Sequence, residues 1–234
     1  MSSKAPIFLA VDTADIDVAT EWVQATQDYV AGFKLGLEFF AALGSEGVRR
    51  IKGITEADIF LDLKLHDIPN TVAGATRQIA DLNPRFLTVH ASGGKEMISA
   101  AVTAGPEIEI AAVTVLTSLG NQDLSEIGFK SDPLQSAVRL AVLAKSAGAR
   151  AIICSPLEIS AIRNAVGPEL SIITPGVRPT SDIGGDDQQR TMDPKSAIAA
   201  GSTYLVIGRP ITSAWAQGSD AMRERAASIA SQLN

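Results

Sequence analysis

Short runs of β-branched and other apolar residues recur along the chain, separated by longer stretches with apolar positions at helical spacing. The runs are "IFLAVD" (7–12), "AGFKLG" (31–36), "IFLDLKL" (59–65), "FLTVHA" (86–91), "IAAVTVLTS" (110–118), "AIICSP" (151–156), "SIITPGV" (171–177) and "YLVIGR" (204–209). Helical patterns fill 17–30, 133–149 and 213–233; in the second, Leu134, Val138, Leu140, Ala141 and Val142 recur at helical spacing. Strands alternating with helices predict a parallel sheet built from right-handed crossovers. Eight such repeats in 234 residues predict an α/β protein, a single-domain (β/α)8 (TIM) barrel over residues 6–234. Residues 1–5 read as an N-terminal tail. An open doubly wound sheet is the alternative, but no Gly-x-Gly-x-x-Gly follows the first run, and no linker-like composition divides the chain.

Two connections are longer than the roughly 2–6 residues usual between strand and helix. They are 119–131, "LGNQDLSEIGFKS", and 178–193, "RPTSDIGGDDQQRTMD". The second has no periodicity and contains Gly184-Gly185, so it reads as a binding loop or lid, or else as a tolerated surface insertion.

Polar residues interrupt the apolar runs at particular places. Asp12 closes run one, Lys34 lies near the end of run two, Asp62 and Lys64 late in run three, and His90 late in run four. Thr117 and Ser118 end run five, Arg178 follows run seven, and Gly208-Arg209 ends run eight. In a (β/α)8 barrel these are the C-terminal strand ends, where active sites are built. Side chains alternate along a strand, so Asp62 and Lys64 share a face while Leu61, Leu63 and Leu65 take the other. Lys34 on the neighbouring strand joins them, and cation, anion and cation favour one another's ionised forms. The competing reading is a structural salt-bridge network. "VIGRPIT" (206–212) passes from strand through Gly208 into a helix start. There backbone amides and the planar Arg209 cation suit a phosphate, and Gln188 in the long loop adds an amide donor. His66 and His90 have no neighbours that assign them a role. A magnesium site using Asp62 and Glu38 is opposed by the adjacent Lys34 and Lys64.

Composition narrows the classes. The formal net charge is −6, aromatic content is 5% and basic residues form no stripe, which disfavours nucleic-acid binding. No run of 18 apolar residues exists, so no membrane-spanning helix is expected. The N-terminal "MSSKAPIFLAVD" lacks a hydrophobic core followed by a small-residue cleavage site, so no secretory signal is expected. Cys154, the single cysteine, sits in an apolar run and reads as a buried, inert thiol; a cytoplasmic location is the expectation.

Taken together, "LAVD", "FKLGLE", "FLDLKLHDIPNTV", "VHASGG", "AVTVLTS", "TPGVRP", "GDDQQR" and "VIGRPIT" resemble the orotidine 5′-phosphate decarboxylase family in its shorter bacterial type, over essentially the whole chain. The resemblance implies conversion of orotidine 5′-phosphate to UMP and CO2 in pyrimidine biosynthesis, with no metal or organic cofactor. It implies a catalytic array of Lys34, Asp62, Lys64 and Asp67, with Asp67 reaching into the partner's site across a two-fold homodimer interface, accompanied by Ile68 and Thr71. Asp12 and Lys34 are implied at the ribose, Thr117 and Ser118 at the pyrimidine edge, Ile68 and Pro175 in apolar contact, and Thr71 at the ribose or shared site. Arg178, Gln188, Gly208 and Arg209 are implied at the phosphate. Magnesium-dependent keto-gulonate phosphate decarboxylases and hexulose phosphate synthases share the Asp-x-Lys-x-x-Asp pattern; the "HDIPNT" continuation and "LTS" favour the nucleotide enzyme. A Schiff-base aldolase is disfavoured because acids around Lys64 keep it protonated. A non-catalytic nucleotide-binding barrel would have no use for a buried Lys-Asp-Lys-Asp set.

Overall fold

Strands too apolar on both faces to meet water are covered in α/β proteins by helices on one side and, in a barrel, by one another on the other. A computed structural model describes residues 4–130, 132–179 and 192–233. Its strands are β1 (Ala5–Ala10), β2 (Val30–Gly36), β3 (Asp58–Leu65), β4 (Phe86–His90), β5 (Glu109–Val113), β6 (Ala151–Ile153), β7 (Ser171–Pro175) and β8 (Tyr204–Ile207). They pair in parallel in chain order, and β8 returns to β1 through Ile7–Leu205 and Leu9–Ile207 to close the barrel. Helices α1 (Ile16–Thr26), α2 (Leu37–Lys52), α3 (Pro69–Ala80), α4 (Gly94–Ala104), α5 (Asn121–Glu126), α6 (Pro133–Ser146), α7 (Ile159–Val166), α8 (Pro194–Ala199), α9 (Arg209–Thr212) and α10 (Ser219–Ser231) lie between and after them.

The predicted alternation divides the core in two. Leu61, Leu63, Leu87 and Val89 pack outward beneath the helices, while Phe60 and Phe86 join Phe8, Ala111, Val113, Ile153 and Ile173 inside the barrel. Phe8 meets Phe60, Phe86 and Tyr204 edge-on at centroid distances of 5.7, 5.6 and 5.3 Å, an arrangement aromatic quadrupoles favour. Below them Arg85 lies 4.9 Å over Phe86 and 5.0 Å over Tyr204, and its guanidinium donates to Asp58 and Glu109. The N-terminal end of the barrel is thus plugged by paired charge and rings. At the other end Lys34, Asp62 and Lys64 face a cavity that reaches down to Phe60.

Several boundaries differ from those expected. Ala5, placed in the tail by the sequence, is buried and pairs with Val30 at the start of β1. The fifth strand ends at Val113 rather than 118: its neighbour β6 stops at Ile153, whose carbonyl takes both the backbone and hydroxyl donors of Thr114. The connection 119–131 contains α5, its first turn held by Asp123 accepting from the Gly120 amide. The stretch 213–233 is not one helix, because Gly218 at φ +104° separates a tight turn from α10. The ends of the 178–193 connection are pinned together by a Val177–Met192 bridge and an Arg178 amide bond to the Met192 carbonyl; Gly184, Gly185 and Gln188 lie outside the described residues.

Candidate active site

The C-terminal ends of β1, β2 and β3 converge on one cluster of charge. The Lys64 ammonium lies 2.8 Å from both oxygens of Asp62, and Lys34 lies 3.0 Å from Asp12 and 3.7 Å from Asp62. Gly36 keeps this space open: a Cβ there would stand 2.8 Å from Lys34 Nζ and 3.1 Å from Asp12 Oδ1. Lys34 is buried, Asp62 nearly so, and Asp12 is half in solvent. Asp12 itself lies two residues beyond the end of β1.

Strand alternation accounts for only part of this geometry. Between the pairs Leu61–Leu87 and Leu65–Val89, β3 runs through three residues where β4 has one, Thr88. The surplus is absorbed at Lys64, whose φ of +48° is rare for a residue with a side chain and marks backbone strain of the kind concentrated at functional sites.

The electrostatics follow from the packing. Burial pushes the Asp62 carboxyl upward, but the Lys34 and Lys64 ammoniums, with hydrogen bonds from Lys64 and Thr88, outweigh it and hold the group below the usual carboxylate range. A carboxylate lowered in the folded state contributes stability above its unfolded value of about 3.9 and loses it only as pH falls through the lowered folded value. The melting-temperature gap between this protein and its Asp62→Asn variant is therefore expected to stay constant from about pH 7 to about pH 5 and to narrow only in stronger acid. A gap already narrowing between about pH 6 and 5 would contradict the assignment. Burial, with His66 and Lys64 nearby, lowers His90, whose ring lies 5.3 Å from that of His66. Cys154 is buried as expected, and burial, with Glu158 nearby, raises its thiol and disfavours the thiolate.

Two adjoining cavities share Lys34, Pro175 and Val206. The inner one, about 200 Å3, sets Lys34, Asp62, Lys64 and Thr117 against walls that include Phe60, Val113, Ile153 and Pro175. The outer one, about 230 Å3, is bounded by Asp12, Lys34, Arg178, Gly208 and Arg209. Gly208 precedes α9, and a Cβ there would stand 3.3 Å from that of Ala10. An apolar slot with charge along one wall, opening toward two arginines, fits a flat heterocycle bearing a distant anion.

The rim therefore assembles Asp12, Lys34, Asp62, Lys64, Thr117, Pro175, Arg178, Gly208 and Arg209 as the sequence implied. Ser118 is exposed and borders neither cavity. Asp67, Ile68 and Thr71 are exposed at the entry to α3, where Pro69 starts the helix, and border neither cavity of their own chain. Asp67 Oδ1 accepts only from the Ile68 amide among the described residues. Sequence reasoning missed Thr88, although its place two residues before His90, on the same face of β4, was a readable signal. It also missed Cys154 as part of the inner wall.

Closed parallel barrel, apolar slot and the Lys34–Asp62–Lys64 array together define a single-domain (β/α)8-barrel enzyme. A model of the orotidine 5′-phosphate decarboxylase / HUMPS family matches residues 5–223, and the chain belongs to that family. An orotidine 5′-phosphate decarboxylase of Thermobifida fusca is 51% identical over 210 residues, 90% of each chain. One from Wolbachia pipientis is 47% identical over 209 residues, 88% of this chain and 91% of that one. The crystal structure of the Lactobacillus acidophilus orotidine 5′-phosphate decarboxylase superposes with a TM-score of 0.83 at 31% identity, over 99% of this chain and 100% of that one.

Proposed function

We infer that this protein removes CO2 from orotidine 5′-phosphate to yield UMP, without a cofactor, and that Lys64 is the group on which the reaction turns. The observation that carries this is the Lys64 ammonium held 2.8 Å from both Asp62 oxygens at the wall of an apolar slot. Breaking the C6–carboxylate bond leaves an electron pair in the plane of the pyrimidine, where the ring π system cannot accept it. Enzymes facing such carbanions elsewhere use electron-sink cofactors. Here a fixed ammonium lies where the charge develops, stabilises it, and transfers one proton to C6 as CO2 leaves. Asp62, and Asp67 from the partner of a homodimer, orient Lys64. Both ammoniums near Asp62 already occupy the space a divalent cation would need, which suits chemistry without a metal.

Asp12 and Lys34 hold the ribose hydroxyls, and Thr71 of the partner assists there. Thr117, which lines the inner cavity, takes the pyrimidine edge, while Pro175 and the partner's Ile68 cover its faces. Arg178, Gln188, Gly208 and Arg209 hold the phosphate. The phosphate is remote from C6, so its binding energy is available to organise the site rather than to react. Arg209→Ala is accordingly expected to lower kcat/KM by about 100-fold or more, through loss of a charge-assisted contact that orders the site. A kcat/KM unchanged in that variant removes the organising role. The single cysteine and the reaction itself fit a cytoplasmic location.

The direct test is incubation of the purified protein with orotidine 5′-phosphate in excess chelator, following pyrimidine absorbance and released CO2. Full conversion unaffected by chelator is expected. Binding of UMP without CO2 release, or activity that the chelator abolishes, overturns the reading.

A further inference from the structure

The bulge in β3 leaves an amide to be satisfied. Where three residues of β3 face only Thr88, the Lys64 N–H donates to a side chain, Thr88 Oγ1, at 2.7 Å. The same hydroxyl donates its own proton to Asp62 Oδ1 at 3.1 Å. One oxygen, fully buried, thus ties the strained backbone of Lys64 to the carboxylate that its side chain grips. The platform beneath it is rigid, because β4 stays in unbroken register with β5 from Phe86–Glu109 to His90–Val113. A buried N–H is rarely left unpaired, and a φ of this kind persists only where the surroundings enforce it.

We propose that Thr88 is a positioning residue for the decarboxylation, its hydroxyl holding Lys64 in its left-handed conformation and Asp62 in register with it. This rests on the reading of Lys64 as the acid. Thr88 itself lines neither cavity and does not meet substrate in this scheme; it acts by fixing where the ammonium stands. Thr88→Val keeps the shape and deletes both bonds, whereas Thr88→Ser keeps the hydroxyl.

The test measures kcat, KM, UMP affinity and thermal unfolding for both variants beside Lys64→Ala. Misplacing a catalytic group by a fraction of an ångström to 1 Å costs about 10–100-fold in rate, so Thr88→Val is expected to lose about that much in kcat. Its UMP affinity is expected to stay within about threefold, and Thr88→Ser within about threefold of the parent in kcat. A crystal structure of Thr88→Val is expected to show Lys64 relaxed from its positive φ. Thr88→Cys, whose thiol is a weak acceptor, replaces Thr88→Val if that variant does not fold, and its kcat is expected between those of the parent and the value predicted for Thr88→Val. A kcat preserved in Thr88→Val, a failure of Thr88→Ser to restore it, or parallel loss of kcat, UMP affinity and stability overturns the proposal. An active Lys64→Ala instead overturns the reading of Lys64, leaving the two failures distinguishable.

Discussion

Lys64→Ala is expected to lose decarboxylation by about four orders of magnitude or more, because in the proposed mechanism one group would supply both the charge opposite the developing carbanion and the proton that quenches it. The fold is expected to survive. Asp62 keeps Lys34 at 3.7 Å and the Thr88 hydroxyl at 3.1 Å, so deletion of Lys64 does not strand a buried carboxylate. Thermal unfolding close to that of the parent, together with retained UMP binding, separates lost chemistry from lost structure. Residual turnover within about tenfold of the parent would mean that the carbanion is stabilised by another group.

The second large effect concerns Asp67. Among the described residues its carboxylate accepts only from the Ile68 amide, and it stands exposed with Ile68, which is 66% accessible, and Thr71. An acid and a large apolar side chain displayed together just beyond the catalytic strand suit a neighbouring site better than their own. Asp67→Ala alone is expected to reduce kcat by at least about 100-fold. If the site is shared across a homodimer as proposed, mixing and reassociation with Lys64→Ala subunits is expected to recover about one quarter of parental activity: random pairing would make about half the dimers mixed, each with one intact site. No recovery in verified heterodimers would show that Asp67 serves its own barrel.

Much of this was legible in the chain because two periodicities are strong. Apolar runs of strand length alternating with helical stretches imply the barrel, and period-two alternation within "FLDLKL" separates Leu61 and Leu63 from Asp62. The rim residues were legible for the same reason: charge at the end of an apolar strand is costly unless paired, so its position signals a paired or functional group. Strand ends were less legible. Where β5 stops depends on where β6 ceases to offer carbonyls, a property of another segment.

By itself, then, the order of residues determined the barrel, the charged rim and the family to which they belong, since these depend on local periodicity and on which side chains occupy which positions. Only the tertiary structure decided how Lys64 reaches Asp62. That required β4 to oppose three residues of β3 with one, forcing a positive φ and recruiting Thr88 as the amide's partner, and register between distant strands is set by packing that no short stretch of sequence contains.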